Sequence, residues 1–432
     1  MEQKLYRNYL NILKCELIPA LGCTEPIAIA YGAAQARKAL GCFPEHIDVY
    51  CSGNIIKNVK SVVVPNSGGE KGIDIAAVLG TISGKCDSGL EVLEGITQED
   101  RIKAKELVKE GFCSCGLQED VGNLYVRIEA SGGGHRAEAV ISDYHTHVAR
   151  IKKDGQTIYE DEIKDDHPLA ADKSLMTVEG ILEFADCVKI EDIKEILDDQ
   201  IKMNTALADE GMKNRYGAEI GATLKRNGSG DIASIAKARA AAASDARMGG
   251  CSLPAVINSG SGNQGVTVSV PVIEYARAWG VSIGKLYRAL VVSNLLAIHQ
   301  KSYVGRLSAY CGAVSAACGA GAAIMYMRGG GYEEISKVIT NTVACAGGIV
   351  CDGAKASCAG KIAIALEAAL LAYEMSLEGH EFQPGDGIVK DNVENTIKSI
   401  GYIGRVGMKQ TDIEILNIML DNTDVAKMTA DS

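Results

Sequence analysis

The sequence predicts an α+β protein: a large all-α domain, built from N-terminal helices and the C-terminal half, with a smaller α+β domain inserted between them. Three observations carry this. Alternating, β-branched segments are confined to a stretch from about His46 to Tyr159. Apolar residues at helical spacing fill both flanks, and beyond Ser174 no segment reads as a strand. A chain of 432 residues has room for two or three units and a sizeable core. The expected divisions are 1–42, N-terminal helices packing on the helical domain; 43–173, the α+β domain; and 174–432, the all-α domain.

Leu5, Leu10, Leu13 and Leu17 follow helical spacing, and Pro26 to Leu40 is alanine-rich. Between them Thr24 reads as an N-cap with Pro26 just inside the next helix, so Cys23 precedes a helix amino terminus. Strands are expected at Ile47–Tyr50, Ser61–Val64, Leu124–Ala130, Ala137–Ile141 and His147–Lys152, with Lys153-Asp154-Gly155 as a hairpin turn. Helices fit Asp74–Ser83 and Thr97–Glu110 in the same part. Further on they fit Val178–Val188, Ile190–Glu210, Ile232–Asp245, Gly265–Trp279 and Ile283–Tyr303. The last group is Leu307–Met327, Tyr332–Ala346, Lys355–Leu377 and Val393–Ser399, separated by glycine-rich punctuation.

Composition excludes several classes. With 47% hydrophobic and 23% charged residues the chain is globular, which rules out wholesale disorder. The net charge of −11, without a long basic run, argues against nucleic acid or an anionic membrane as partner. Aromatics at 5% leave no stacking platform for single strands. Leu307–Met327 carries no formal charge but is mostly Ala, Gly, Ser and Cys, which suits a buried helix better than a membrane span. The amino terminus lacks the apolar stretch of a signal peptide, so a cytoplasmic protein is expected. The 48 glycines, about 11% against a usual ~7%, point to close backbone approach and special turns.

Fourteen cysteines in a reducing compartment are not disulfides, and most read as small buried hydrophobes. Density peaks at Cys311, Cys318, Cys345, Cys351 and Cys358. Neither zinc pairs nor ferredoxin spacing occur there, which leaves two readings: buried structural thiols, or an iron–sulfur cluster. On one unbroken helix Cys351 and Cys358 would stand ~10.5 Å apart. Asp352-Gly353 offers a break that would put Cys351 in a turn and Cys358 early on a helix, whose dipole favours negative charge.

The run Asn258-Ser259-Gly260-Ser261-Gly262-Asn263-Gln264-Gly265 opens a helix and would present N–H groups and hydroxyls to a small carboxylate or phosphate. Ser52-Gly53-Asn54 with Lys57, and Asn66-Ser67-Gly68-Gly69 with Lys71, are similar polar loops; each of the three is equally readable as a plain turn. His145 and His147 alternate on an expected strand. His299, at the end of an apolar helix, suits a buried or capping role better than catalysis. Hydrolase, zinc-protease and dinucleotide motifs are absent.

Taken in order, Leu21-Gly22-Cys23-Thr24-Glu25-Pro26, the Asn258–Gly265 run, Gly305-Arg306-Leu307-Ser308-Ala309 before Cys311-Gly312-Ala313, and Cys351-Asp352-Gly353-Ala354-Lys355-Ala356-Ser357-Cys358 resemble the L-cysteine desulfidase family, itself related to the α chain of iron–sulfur L-serine dehydratases. The likeness spans nearly the whole chain. It implies a [4Fe-4S] cluster held by Cys311, Cys351 and Cys358 with one iron left open, and Cys23 as base or further cluster contact. It makes 174–432 the iron–sulfur catalytic domain. Ser259, Ser261, Asn263 and Gln264 would hold the substrate carboxylate, with Ser52, Asn54 and Asn66 as further substrate contacts. Cys318 and Cys345 fall outside the pattern and are expected to be structural.

The implied reaction converts L-cysteine and water into sulfide, ammonia and pyruvate, in a protein that could pair as a homodimer. An iron–sulfur L-serine dehydratase is the nearest alternative, although the Ser-Ser-Ser-His-Thr motif of the dehydratase's other domain is missing. A pyridoxal-phosphate lyase would share the Ser-Gly-rich carboxylate loop but leave the cysteines unexplained. A non-enzymatic redox or metal-binding protein is the third alternative.

Overall fold

The structure is a computed structural model, and it describes residues 1–161, 171–305 and 308–427. Its architecture is α+β, as the sequence predicts. The chain opens with α1 (Gln3–Glu16), β1 (Pro19–Leu21) and α2 (Thr24–Leu40), then β2 (His46–Cys51), α3 (Gly53–Val59), α4 (Ile73–Ser83) and α5 (Gln98–Lys109). β3 (Cys113–Leu117), β4 (Tyr125–Gly132), β5 (His135–Ser142), β6 (Val148–Lys153) and β7 (Gln156–Glu160) follow. Next come α6 (Val178–Cys187), α7 (Ile190–Lys213), α8 (Ile220–Asn227), α9 (Ile232–Met248), β8 (Pro254–Val256) and α10 (Gly262–Trp279). The chain continues through α11 (Ile283–Val304), α12 (Gly312–Arg328), α13 (Tyr332–Ala346), α14 (Ser357–Leu377), α15 (Val393–Tyr402) and α16 (Lys409–Met419).

The main sheet has the order β3-β2-β4-β5-β6-β7, with β2 and β3 parallel and every other pair antiparallel. Its buried face is set by period-2 alternation: along β4, Val126, Ile128 and Ala130 point inward. α2 lies on that face through Gly32, where a Cβ would stand 3.2 Å from Ile128 and 3.3 Å from Ile141. α4 stacks on α2 in turn, with Gly80 over the Ala30 carbonyl. These elements form one apolar core. A larger core joins α1 to the helices from α6 onward.

α12 is the centre of the helical layer, packed on α10, α11, α13 and α14. Its uncharged run is a core helix, as expected, and no helix of the described residues is long and apolar enough to cross a membrane. Cys318 on it is fully buried, and Cys345 on α13 is exposed.

Other expectations need correction. The N-terminal helices do not pack together on the helical layer: α1 does, but α2 covers the sheet, because its small residues fit the β4–β5 surface. Ser61–Val64 is no strand; Val63 alone bridges Lys71. Conversely, β8 is a strand beyond Ser174, too short to show a period, and it pairs antiparallel with β1. Ser52-Gly53-Asn54 opens helix α3 rather than a loop. His145 and His147 sit in the β5–β6 turn and not on a strand. The cap of α2 is Cys23, one residue before Thr24. The expected start of α12 at Leu307 falls, with Arg306, outside the described residues, and the helix begins at Gly312.

Candidate active site

The pairing of β1 with β8 (Pro19 opposite Val256, Leu21 opposite Pro254) anchors the two loops that follow these strands. Beyond β8, Asn258 and Ser261 exchange backbone hydrogen bonds around Ser259 (φ 51°) and Gly260 (φ 79°), a tight turn with both central residues left-handed. Buried amides fix it from beneath. Asn258 donates to Asn294 Oδ1 (3.0 Å), Asn294 and Gln200 exchange bonds, and Asn204 brackets the Val256 peptide. Thr24 Oγ1 donates to the Gly260 carbonyl (3.1 Å), tying the first loop to the second.

These loops border a cavity of about 120 Å³. Four helices begin at its wall: α2 is capped by Cys23, α10 by Ser261 and α12 by Cys311, while Cys358 is the second residue of α14. Their amino termini contribute partial positive charge where an anion would sit. Cys23, Ser259, Ser261, Asn263, Gln264, Cys311, Cys351 and Cys358 all line it.

Cys311 and Cys351 flank a two-residue bridge between Tyr310 and Val350. Cys311 N–H donates to the Ile349 carbonyl (3.0 Å) and Cys351 N–H to that of Ala309 (2.6 Å). The chain then breaks at Gly353 (φ 96°), where a Cβ would stand 2.0 Å from the Lys57 carbonyl; Cys358 lies early on a helix, as expected, while Cys351 sits in an irregular stretch after the bridge and not in a turn. The Cys311 thiol is raised, first by the neighbouring Cys351 sulfur and then by burial. The hydrogen bond from Cys311 lowers Cys351 despite its burial, with Lys57 and Lys301 assisting. Burial raises the Cys358 thiol.

Three cations line the same cavity. Lys57 and Arg247 are each 2% exposed, and Lys301, also buried, is pushed down to about 8 by that burial. Among the described residues no three His, Cys, Asp or Glu side chains meet as the ligands of a single metal ion would.

Cys23 donates its thiol proton to Glu25 Oε2 (3.1 Å). Burial raises its pKa well above the thiol range, Glu25 adds to this, and nearby Arg247 opposes it without prevailing. Arg247 ties the two loops together: one Nη donates to the Gly22 carbonyl, the other to Asn263 Oδ1 (2.5 Å). The serine hydroxyls turn inward to their own loop. Ser259 donates to Asn258 Oδ1 (3.0 Å), and Ser261 accepts from Gln264 N–H as the helix cap.

Ser52, Asn54 and Asn66 do not reach the cavity. Ser52 holds the Asn123 carbonyl (2.7 Å), Asn54 contacts the Asn123 side chain, and Asn66, with φ 58°, bonds Leu93 in a turn. His299 is also away from it, fully buried and bonded to Glu394 (2.9 Å). Arg247, Lys301, Glu25 and His145 line it and were not read as site residues. The signal for Arg247 is an arginine in the last turn of the alanine-rich helix α9; for Lys301 it is a lysine closing an apolar one.

Helices wrapped on a small mixed sheet enclose a thiol-lined cavity where four helices begin, and the sequence over most of these helices places the protein in the serine dehydratase alpha chain class. The family described as serine dehydratase alpha chain matches residues 87–417, and this chain belongs to it. The match contains the Ser259–Gln264 loop and the three cysteines and begins beyond Cys23. The chain is 51% identical over 421 residues (97% of it, 98% of the relative) to a UPF0597 protein of Desulfitobacterium hafniense. It is 50% identical over 417 residues (96% and 100%) to a UPF0597 protein of Lachnoclostridium phytofermentans, and 46% over 427 (97% and 99%) to one of Treponema denticola.

Proposed function

We propose that the protein is an iron–sulfur-dependent lyase that eliminates sulfide from L-cysteine, leaving ammonia and pyruvate. One observation carries the reading: Cys23, Cys311, Cys351 and Cys358, spread over more than three hundred residues of sequence, line one buried cavity with the Ser259–Gln264 loop. The residues fit a [4Fe-4S] cluster held by Cys311, Cys351 and Cys358. Their three cavity-lining sulfurs, Cys311 buried and Cys351 and Cys358 partly so, are its donor set, and Lys57, Lys301 and Arg247 offset the negative charge that thiolates and cluster bring together. When bound, the cluster supplies a Lewis-acidic iron with an open position for the substrate sulfur.

The chain's own groups do the rest. Glu25 Oε2 takes the Cys23 proton across the 3.1 Å hydrogen bond, and the Cys23 sulfur then accepts the proton from the substrate Cα. Sulfide leaves as the Cα–Cβ double bond forms, and the released aminoacrylate hydrolyses unaided to pyruvate and ammonia. Burial keeps water from competing at the deprotonated carbon.

The family's description favours a second reading, the same site acting on L-serine with loss of water. Anaerobic reconstitution with iron and sulfide, then pyruvate release from each amino acid, tests both. Cysteine is expected to give the higher kcat/KM. A preference for serine would reassign the substrate, and pyruvate from neither would end the elimination reading. Alanine at Cys311, Cys351 or Cys358 should each lower bound iron sharply, whereas alanine at Cys318 or Cys345 should leave it near normal.

A further inference from the structure

Two polar side chains in the cavity are buried and incompletely bonded. Arg247 Nε and Gln264 Oε1 have no hydrogen-bond partner, and their residues are 2% and 7% exposed. A buried donor on a guanidinium and a buried carbonyl acceptor are each costly to leave unmatched, so both point to a ligand. Both groups also have their places cleared by glycine. A Cβ on Gly262 would stand 2.3 Å from the Arg247 guanidinium, and one on Gly312 would stand 2.6 Å from the Gln264 amide. Each planar group therefore lies flat over backbone that only glycine leaves open.

We propose that Arg247 and Gln264 together recognise a free α-amino acid as its zwitterion. The Arg247 Nε–H donates to the carboxylate, and the Gln264 carbonyl accepts from the ammonium group. The chemistry is complementary: a carboxylate needs a donor, preferably charged, and an ammonium needs an acceptor and cannot use a guanidinium. Arg247 is already fixed through Gly22 and Asn263, so its remaining N–H is pre-oriented. The serine hydroxyls, engaged in their own loop, position that loop and leave the charged end of the ligand to Arg247. This assignment takes its substrate class from the elimination reading and rests on it for that, but it is tested without turnover.

Anaerobically reconstituted protein is titrated calorimetrically with L-alanine, L-alaninamide and propanoate. L-Alanine has no β leaving group and is not consumed; the other two lack the carboxylate and the ammonium respectively. Wild-type protein should favour L-alanine over both by about tenfold or more, the loss expected for one charge-assisted hydrogen bond. Arg247→Gln should bind L-alanine and L-alaninamide equally while still rejecting propanoate, and Gln264→Leu should lose only the discrimination against propanoate. Equal binding of the three ligands by wild-type protein overturns the assignment, and this arm needs no variant to fold. So does an Arg247→Gln protein that loses iron but keeps its preference for L-alanine, since Arg247 would then only offset the charge of thiolates and cluster. A protein that discriminates as expected yet releases no pyruvate defeats the elimination reading and leaves zwitterion recognition standing. One that turns over cysteine without discriminating does the reverse.

Discussion

Glu25 next to Cys23 changes what the first motif means. A helix amino terminus pulls a thiol at Cys23 towards its thiolate, but burial and the adjacent carboxylate outweigh it and hold the thiol protonated. A buried thiol becomes a base only if its proton has somewhere to go, and in the proposed reaction that place is Glu25 Oε2, 3.1 Å away. Glu25→Gln keeps a hydrogen-bond acceptor but cannot take the proton. It should retain iron and amino-acid binding while turnover falls ~10²–10⁴-fold, the share general base catalysis supplies; a kcat within about twofold of wild type would rule Glu25 out. Asp245 on α9 offers a test of stability. Burial pushes its carboxyl up to about 6, against the hydrogen bond it accepts from Gly221 N–H (2.9 Å). The folded state thus holds a proton that the unfolded chain releases near 3.8, so this contribution is complete below about pH 4 and lost as pH rises to about 6. Asp245→Asn should remove that slope and stabilise the protein at pH 7 by about 1–2 kcal/mol, read from urea unfolding at pH 4 and pH 7.

Among the elements, the glycine surplus has two physical sources, both anticipated from composition. Some glycines occupy left-handed positions, as Gly353 does between the two cysteines. Others let helices touch: Gly319 of α12 lies against the Ser293 carbonyl of α11, where a Cβ would stand 2.4 Å away, and Gly211 of α7 meets the Ala242 carbonyl of α9 the same way. Gly319→Ala must move rigid backbone. It should cost about 1–3 kcal/mol, seen as a lower thermal midpoint, and an unchanged midpoint would show that α11 and α12 can separate freely. Helices with long apolar periods were legible from sequence to within a few residues, α13 end to end. The strands β1 and β8 and the helices α3 and α16 were not, because three residues show no period and short helices depend on what they pack against. The cavity's cysteines and its Ser-Gly loop were legible through their motifs. Arg247 and Lys301 left only a weak local mark, a charge in the last turn of an alanine-rich or apolar helix, and Glu25 none beyond its place in the first motif.

Across the whole molecule, α16 returns from the helical half to clasp α3 on the sheet side. Asp412 pairs with buried Lys57, Leu416 sits where a Cβ on Gly53 would be, and Lys60 donates to the Met419 carbonyl. Lys57 also lines the cavity beside Cys351, so the C-terminal helix supplies the countercharge for a site residue. Asp412→Asn leaves that cation unpaired. It should lose about 1–3 kcal/mol, less than a fully buried pair because Asp412 is 20% exposed, and should hold iron less firmly. Adding Lys57→Met should recover much of the stability but none of the iron. A double-mutant cycle with purely additive losses would mean the pair does not couple the halves.

The short ladder between β1 and β8 also governs the order of events during synthesis. It joins residues about 235 positions apart, and the cavity it braces still needs Cys358, a hundred residues further along. The local pairings of β4 through β7 can form as soon as they leave the ribosome, but Cys23 must wait, next to its finished sheet, until most of the helical half has been made. Any metal centre built on these thiols is therefore a late, post-assembly addition, and a chain stopped before α14 would carry a formed sheet and no centre.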